Sequence, residues 1–381
     1  MPRARQTPAN RKVVELFFGE RMNIGILKED PSRERRIALT PAAVQGLIHG
    51  GNTVYVEKDA GNASHFTNEE FQAVGAQIVY TRDEVFGRSE MLLKILSPTE
   101  EECDQLIDSQ ILFSFLHLAV ARTRIVESLL QKHICSIGYE LIEDGNGNLP
   151  ILQEMSEIAG LMSIHVGARY LESSSNGRGV VLGGITGIPP ALVVIVGAGT
   201  AGQAAARAAL GVGAKVIVFD KDLSRLRIVG ERFNRGVDTM ITTQYNLTKA
   251  LRNADVLIGA VLIKGERTPH VVTEEMVSQM KTGAIVIDVS IDQGGCVETS
   301  RPTTLENPTY LCHTILHYCV PNMAANVART ATYGLTNGLL PYISTIAGKG
   351  VQNAIKESAI DCELNLSANT NNGDDIIVCD K

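Results

Sequence analysis

Apolar runs of three to six residues recur along this chain of 381 residues, separated by amphipathic stretches and by turns rich in glycine and proline. In the first third, these runs have the length and composition of strands. We predict the strands at Asn23–Leu27, Thr53–Glu57, Gln77–Val79, Met91–Leu96, Ile111–Leu116 and Ser136–Tyr139. The amphipathic stretches predict helices at Ala42–His49, Asn68–Val74, Arg82–Gly87 and Thr99–Ile107. Such alternation is typical of a parallel sheet.

The alternation returns after residue 190 with a distinctive glycine pattern. The run Leu192–Val196 is apolar enough for a strand that is buried on both faces. The elements that follow are Gly197, Gly199 and Gly202 in G-x-G-x-x-G spacing, an Ala-rich helix at Gln203–Leu210, and a strand at Lys215–Phe219 that ends at Asp220. Further strands are predicted at Asp255–Ala260 and Ala284–Ile287, with a helix at Thr273–Gln279.

The order strand, glycine turn, helix, strand and terminal acid is the one that dinucleotide binding requires. The glycines permit a tight turn, close approach of a pyrophosphate and close packing of helix on strand, while the helix N-terminus attracts the phosphates. A carboxylate at Asp220 would bind ribose hydroxyls and repel a 2′-phosphate, so we predict NAD rather than NADP. The alternative is a structural glycine turn in an α/β domain that binds no nucleotide.

These elements predict an α/β protein with two Rossmann-like domains. Each has a parallel sheet, and long helices at Ser156–Leu171 and Ala324–Ile346 join the domains, with a cleft between them. We place an N-terminal arm at 1–21 and a substrate or catalytic domain at 22–150, completed by 327–381. The NAD-binding domain is predicted at 151–326, and the polar tail after Ser367 is expected to be mobile.

Composition narrows the possible partners. A net charge of −7 without a long basic run argues against nucleic-acid binding. The longest uncharged run, Ile188–Ala206, is interrupted by prolines and glycines, so no membrane span is expected, and no signal peptide is evident. The seven cysteines are scattered without a C-x-x-C pair, which predicts reduced thiols in a cytoplasmic protein and no metal site.

Four polar residues outside the glycine motif are candidates for chemistry. Arg36, in a loop between strand and helix, could hold a carboxylate through two parallel hydrogen bonds, or could be a solvated loop arginine. His117, predicted at the end of a strand, could transfer a proton near neutral pH, or could be a satisfied buried histidine. Asp292 and Asn322 follow a strand and a proline, where either chemistry or turn capping would suit them.

Taken together, the motifs resemble the alanine dehydrogenase family, which shares its fold with the NAD-binding component of nicotinamide nucleotide transhydrogenase. The resemblance covers roughly residues 22–345. Its motifs are Glu34–Pro41 (ERRIALTP), Gln110–Leu118 (QILFSFLHL), Met155–Gly160 (MSEIAG), Gly197–Gly202 (GAGTAG), Ile258–Leu262 (IGAVL), Ile291–Cys296 (IDQGGC), Ser300–Thr304 (SRPTT) and Tyr318–Met323 (YCVPNM). Transhydrogenase itself is less consistent with the chain, because the segment before Met155 lacks that family's longer Arg-Ala-Gln loop.

The resemblance implies NAD-dependent, reversible oxidative deamination of L-alanine to pyruvate and ammonia, in a homo-oligomer that is commonly a hexamer. It implies Arg36 as the carboxylate anchor, His117 as a proton-transfer residue, Asp292 as a second acid/base group and Asn322 as a substrate contact. The cofactor residues that it implies are Ser156, Gly197, Gly199, Thr200, Ala201, Gly202, Asp220, Arg225, Val261 and Asp292.

One position departs from the family pattern. Alanine dehydrogenases carry a substrate-binding lysine second in a K-x-K-E-P motif, and this stretch reads Lys94-Ile95-Leu96-Ser97-Pro98. Leu96 replaces that lysine, and Lys94, two residues earlier on the predicted strand, is the candidate substitute. Three interpretations follow: an alanine dehydrogenase in which Lys94 or His117 polarises the carbonyl, a related oxidoreductase for another 2-amino or 2-oxo acid, or a catalytically weak NAD-binding regulatory protein.

Overall fold

A computed structural model describes residues 21–117, 120–351 and Ala354, which divide into two compact units. The first unit contains the described residues of 21–116, Ala121–Leu152 and the chain from Ala328 onward. The second contains those of 117–120 and Gln153–Val327. Apart from Arg21, the predicted N-terminal arm lies outside the described residues, and so does the predicted tail after Ser367.

The first unit is built on a six-stranded parallel sheet with the order β3-β2-β1-β4-β5-β6. Its strands are β1 (Asn23–Ile26), β2 (Thr53–Glu57), β3 (Gln77–Val79), β4 (Met91–Leu93), β5 (Ile111–Ser114) and β6 (Cys135–Gly138). Its shorter helices are α1 (Pro41–His49), α2 (Asn68–Ala73), α3 (Arg82–Arg88), α4 (Glu100–Gln105) and α5 (Thr123–Gln131). Threonine hydroxyls accept N–H groups at the starts of α1 to α4, which satisfies donors that a helix leaves unpaired.

The second unit is built on a seven-stranded sheet with the order β12-β13-β11-β10-β7-β8-β9. Its strands are β7 (Leu192–Val196), β8 (Lys215–Asp220), β9 (Asp238–Ile241), β10 (Val256–Gly259), β11 (Ile285–Asp288), β12 (Thr309–Cys312) and β13 (Ile315–Tyr318). Its shorter helices are α7 (Thr200–Gly211), α8 (Leu223–Arg232), α9 (Gln244–Leu251) and α10 (Glu274–Ser278). Among the described strands of this sheet, only β12 runs antiparallel to its neighbour, so the remaining six have the doubly wound order of a dinucleotide-binding sheet.

Strand β7 explains why this sheet requires continuous apolar runs. Val193 and Ile195 pack into one core cluster, and Val194 and Val196 pack into another on the opposite face. All four side chains are buried. Removing an aliphatic side chain from water contributes about 1.5–3 kcal/mol to the free energy of folding. A polar substitution on either face of β7 would therefore destabilise the fold.

Two long helices complete the units. Helix α6 (Pro150–Tyr170) begins in the first unit and continues into the second, and α11 (Ala328–Lys349) belongs to the first. Among the described residues, no helix combines the length and the hydropathy that crossing a membrane would require. The predicted fold class, two Rossmann-like domains with parallel sheets, is confirmed.

Several element predictions were wrong in detail. The strand predicted to reach Leu96 ends at Leu93, because the Glu29 carboxylate accepts the N–H groups of Ile95 and Leu96. Other elements were not predicted at all: helices α5, α8 and α9, strand β9 and the hairpin β12–β13. That hairpin turns at His313 and Thr314, two non-glycine residues with positive φ, so it lacks the usual glycine signal.

Candidate functional site

The glycine turn after β7 has three glycines with three different surroundings. A Cβ on Gly202 would lie 1.8 Å from the carbonyl oxygen of Gly197, and a Cβ on Gly197 would lie 2.2 Å from that of Ala260. Gly197 also has a φ of +112°, which disfavours any side chain. A Cβ on Gly199, in contrast, would meet nothing within 4 Å. The turn is therefore closely packed at Gly197 and Gly202 and open at Gly199.

Helix α7 begins directly at this opening. Gly199 is its N-cap, and among the described residues no side chain caps the helix there. Thr200 and Ala201 form the first turn with Gly202, where backbone N–H groups and the helix dipole favour an anion. Thr200 is exposed and Ala201 is half-buried. An open N-cap glycine and an uncapped helix N-terminus are what a bound pyrophosphate requires.

Three further residues that the resemblance assigns to the cofactor lie in the second unit. The N–H of Val261, just after β10, donates to Ser290 Oγ at 2.9 Å, so the β10 loop is tied to the loop after β11. Arg225 is exposed on α8, with Nε 3.9 Å from Asp222. Ser156 is half-buried on α6. The structure places each of them on a described element, and their cofactor contacts remain predictions.

The loop after β11 is organised by the buried carboxylate of Asp288. Its oxygens accept N–H groups from Ser290 at 3.0 Å, Cys296 at 2.9 Å and Val297 at 3.1 Å. Burial raises the pKa of Asp288, while these hydrogen bonds favour its ionised form. Gly294 and Gly295 both have positive φ, which lets the loop reverse between these anchors. Asp292 and Gln293 are held in a 3₁₀ turn (Val289–Gln293) within this loop.

Two hydrogen bonds connect this loop to the other predicted site residues of the second unit. The N–H of Asn322 donates to Asp292 Oδ1 at 2.9 Å, and Gln293 Nε2 lies 3.2 Å from His117 Nδ1. The structure therefore brings Asp292 close to Asn322 and His117 close to the residue after Asp292. Gln293 belongs to the IDQGGC motif, but the sequence did not show which residue its side chain contacts.

His117 and Asn322 both have left-handed backbones, with φ of +47° and +54°. For a residue with a side chain this conformation costs on the order of 1–2 kcal/mol, and such strain is concentrated at functional sites. His117 was predicted to lie at the end of a strand, and this prediction is wrong. Strand β5 ends at Ser114; Phe115 still donates its N–H to the Ile95 carbonyl oxygen, and the Glu140 carboxylate accepts the N–H of Leu116.

Arg36 lies in the first unit and is buried, with 2% of its surface exposed. Its Nε and Nη2 bind the two oxygens of Glu34 at 2.8 and 2.7 Å, and its guanidinium carbon lies 5.4 Å from the centre of the Phe115 ring. The solvated loop arginine that the sequence left open is therefore excluded. A cavity of about 170 Å³ adjoins Arg36 and Glu34.

Contacts to α11 hold the loop that carries Arg36. The N–H of Ile37 donates to Thr332 Oγ1 at 3.2 Å, and that of Thr40 donates to Thr336 Oγ1 at 3.1 Å. The C-terminal helix of the first unit thus fixes the backbone on the C-terminal side of this arginine.

Lys94 is held in a buried network of charges. Its Nζ lies 3.0 Å from Glu29 and 3.1 Å from Glu102, and 4% of the side chain is exposed. Arg82 binds Glu102 as well, at 2.6 Å. Strand β4 ends at Leu93, so Lys94 and Leu96 lie beyond it, although the N–H of Lys94 still donates to the Phe113 carbonyl oxygen. The ammonium group has two carboxylate partners within its own unit, which the sequence did not reveal.

Comparison with known proteins gives consistent matches over both units. The family models described as Alanine dehydrogenase/PNT, N-terminal domain and Alanine dehydrogenase/PNT, C-terminal domain match residues 25–159 and 163–375. An alanine dehydrogenase of Methanococcus maripaludis is 46% identical over 338 residues, which cover 88% of this chain and 90% of that protein. One of Mycolicibacterium smegmatis is 43% identical over 352 residues, covering 92% and 94%. A solved L-alanine dehydrogenase structure is 41% identical, with a TM-score of 0.83 and coverage of 89% and 93%.

Proposed function

This chain belongs to the alanine dehydrogenase/PNT family, and from that premise we infer that it is an NAD-dependent alanine dehydrogenase. In the direction of deamination, L-alanine, NAD⁺ and water give pyruvate, ammonium, NADH and a proton. The observation that carries this assignment is the identity of 46% to an alanine dehydrogenase over 88% of the chain. The reaction is reversible, so pyruvate and ammonium are also substrates.

The residues at the glycine turn fit a dinucleotide. The space in front of Gly199 and the uncapped start of α7 would hold the pyrophosphate, with Asp220 at the end of the next strand for the ribose. When bound, NAD supplies the hydride acceptor, C4 of its nicotinamide. We propose that Gly197 and Gly202 shape the turn, and that Ser156, Thr200, Ala201, Arg225, Val261 and Asp292 add further contacts.

We propose that the substrate-binding roles follow the charges of the side chains. Arg36, whose plane is fixed by Glu34, holds the substrate carboxylate. Asp292 and His117 act on the nitrogen and oxygen of the reacting carbon as an imine adds water and the carbinolamine releases ammonia. Asn322, whose N–H is bound to Asp292, contacts the substrate. The buried ion pairs of Lys94 favour a structural role for this residue over substrate binding.

Domain limits and assembly are part of the proposal. We propose a substrate domain at 22–150 completed by 327–381, an NAD-binding domain at 151–326, and a homo-oligomer, a hexamer by family resemblance, in the cytoplasm. Neither nucleic acid nor a membrane is a proposed partner. Light scattering measures the assembly, and a monomeric mass would contradict it.

A second candidate is supported by one residue. Leu96 stands where the family resemblance places a substrate-binding lysine, so an alanine-dehydrogenase-like enzyme for another 2-amino or 2-oxo acid is the alternative, and a catalytically weak NAD-binding protein is the third.

A kinetic panel distinguishes the three. NADH oxidation is followed by absorbance with ammonium and a series of 2-oxo acids, and NAD reduction with L-alanine. Fastest turnover of pyruvate supports alanine dehydrogenase, and fastest turnover of a longer acid supports the second candidate. NAD binding by calorimetry without any turnover supports the third. His117→Ala should lose most turnover and retain NAD affinity; equal loss of both would indicate a structural role.

A further inference from the structure

Gln293 lies next to Asp292 and contacts the ring of His117, although no sequence motif suggested a role for its side chain. The amide Nε2 lies 3.2 Å from His117 Nδ1, and the two residues are 176 positions apart in the chain. Both belong to the second unit. We propose that Gln293 is a positioning residue that sets the tautomer of His117, so that the ring carries its proton on Nε2. The proposal rests on the proposed function above, because it concerns how His117 acts on the substrate.

The loop holds Gln293 firmly enough for this role. Gln293 is buried, and its backbone carbonyl oxygen accepts the N–H of Thr268 at 2.8 Å. It ends the 3₁₀ turn that Asp288 anchors, and Gly294 follows with a φ of +99°. The His117 backbone is held in the left-handed region, and its carbonyl accepts the N–H of Val120 at 2.9 Å. Both backbones are therefore held where the Gln293 amide and the His117 ring meet.

The chemistry of the two groups determines the tautomer. In the orientation that the structure gives the amide, Nε2 faces Nδ1, and because an amide nitrogen is a donor only, this contact requires an unprotonated Nδ1. The neutral ring then has its N–H at Nε2.

A neutral His117 with Nε2–H is a hydrogen-bond donor. It can stabilise the oxygen of a 2-oxo acid while negative charge develops there as ammonia adds to the carbon. This refines the predicted proton-transfer role: His117 supplies a hydrogen bond at the oxygen, and Asp292 remains the group that accepts protons. It also supplies a donor in a chain that has Leu96 in place of the family lysine.

The test is the imidazole ¹⁵N spectrum of the full-length protein labelled at histidine, with the His117 signals assigned by their loss in His117→Gln. We expect a protonated Nε2 and an unprotonated Nδ1. In Gln293→Glu, a carboxylate faces Nδ1 and should draw the proton there. The exposed control Gln244→Glu should leave the spectrum unchanged. A wild-type ring protonated at Nδ1, or a tautomer that Gln293→Glu does not change, would overturn the proposal.

Kinetics separate positioning from a general structural role. Gln293→Glu should lower kcat for amination by about 100-fold, the loss typical of a donor aimed at a developing oxyanion, with the Kd for NADH within twofold of the wild type. Equal loss of NADH binding and turnover would indicate local misfolding instead and count against the proposal. If the wild type turns over no amino acid, the proposed function fails, and the spectrum still decides the tautomer.

Discussion

The carboxylate of Asp220 accepts the backbone N–H of Ala198, with Oδ2 and N 2.7 Å apart. Its other oxygen accepts the N–H of Asp222 at 2.9 Å, and the side chain is buried. Asp220 ends β8, and Ala198 lies inside the glycine turn after β7, so the acid supports the turn directly. The residue assigned to cofactor choice therefore also has a structural role, and substitutions must separate the two.

Asp220→Asn and Asp220→Ala make that separation. Asparagine keeps an oxygen for the Ala198 N–H and loses the charge that repels a 2′-phosphate, so the preference for NAD over NADP should fall about tenfold, equivalent to 1.4 kcal/mol. Alanine also leaves a buried N–H unpaired, which should cost a further 1–3 kcal/mol or so of stability. Steady-state kinetics with both cofactors and urea unfolding measure these effects. Asp222→Asn is the exposed control, and a wild-type kcat/KM higher with NADP would contradict the role.

Gly199 and Gly202 should respond differently to the same substitution. Gly202→Ala places a Cβ 1.8 Å from the Gly197 carbonyl oxygen, so we expect the melting temperature to fall by about 5 °C or more. Gly199→Ala has room and a φ of −72°, so stability should hold while a bound pyrophosphate would be displaced, raising the NAD Kd about tenfold or more. Gly211→Ala, at the other end of α7, is the control for both. Unchanged NAD affinity in Gly199→Ala would place the cofactor elsewhere.

The sequence was sufficient to predict the two parallel sheets because strands buried on both faces need continuous apolar runs, as at Leu192–Val196. It was insufficient where the structural signal is short or local. The hairpin at His313 and Thr314 uses positive φ without glycine, and α5 is a short surface helix with little buried surface.

For the site, single residues could be predicted and their partners could not. His117, Asp292 and Asn322 stand out by motif, whereas the contact between Gln293 and His117 depends on two loops far apart in sequence. The ion-pair partners of Lys94 could not be predicted, because Glu29, whose carboxylate also accepts the N–H of Ile95, lies 66 residues from Ile95 in the chain. Where a strand ends and which residues its loop contacts depend on side chains that are distant in the sequence.

Lys94→Met tests whether this lysine has a structural role. Removing it leaves the buried carboxylates of Glu29 and Glu102 without a cation that both share, which typically costs about 3–5 kcal/mol. We expect a large loss in the free energy of urea unfolding, with the KM for the 2-oxo acid changed less than about twofold. Lys249→Met, on an exposed face of α9, is the control. A stable variant with a greatly raised KM would instead support the substrate contact that was first predicted.

We expect the buried ring of His317 to make the protein less stable at mildly acidic pH. The ring is fully buried in β13, with Nε2 2.8 Å from Thr299 Oγ1 and Nδ1 3.1 Å from the Ile315 carbonyl oxygen. Burial lowers the pKa of His317 below its ordinary value of 6.5. The unfolded chain therefore takes up the proton first, and stability should be lost as the pH falls below 6.5 towards the lowered pKa.

Urea unfolding at pH 7.5 and pH 5.5 or thereabouts measures this effect, because the two values lie on either side of the ordinary histidine pKa. His317→Gln removes the titrating group, so its stability should depend less on pH than that of the wild type, even though it is less stable throughout. His270→Gln, at an exposed position, should retain the wild-type dependence. An unchanged pH dependence in His317→Gln would exclude His317 as the source.

Leu96 provides the sharpest test of the substrate. The Glu29 carboxylate holds the backbone N–H of Leu96 at 3.1 Å, so a substitution there changes the side chain while the backbone stays anchored. If the substrate oxygen lies beside this position, Leu96→Lys restores a cationic donor, and kcat for the amination of pyruvate should rise about tenfold or more, since one such donor is typically worth 100-fold or more. Leu96→Met keeps the size and apolar character and should leave turnover near the wild type. A lysine also makes the wall polar, so the ratio of pyruvate to longer apolar 2-oxo acids should rise in parallel. If the lysine variant binds NADH normally and turns over pyruvate no faster, another group performs the role of the family lysine. The Nε2–H of His117 is the first candidate for this role. Combining Leu96→Lys with Gln293→Glu tests that candidate.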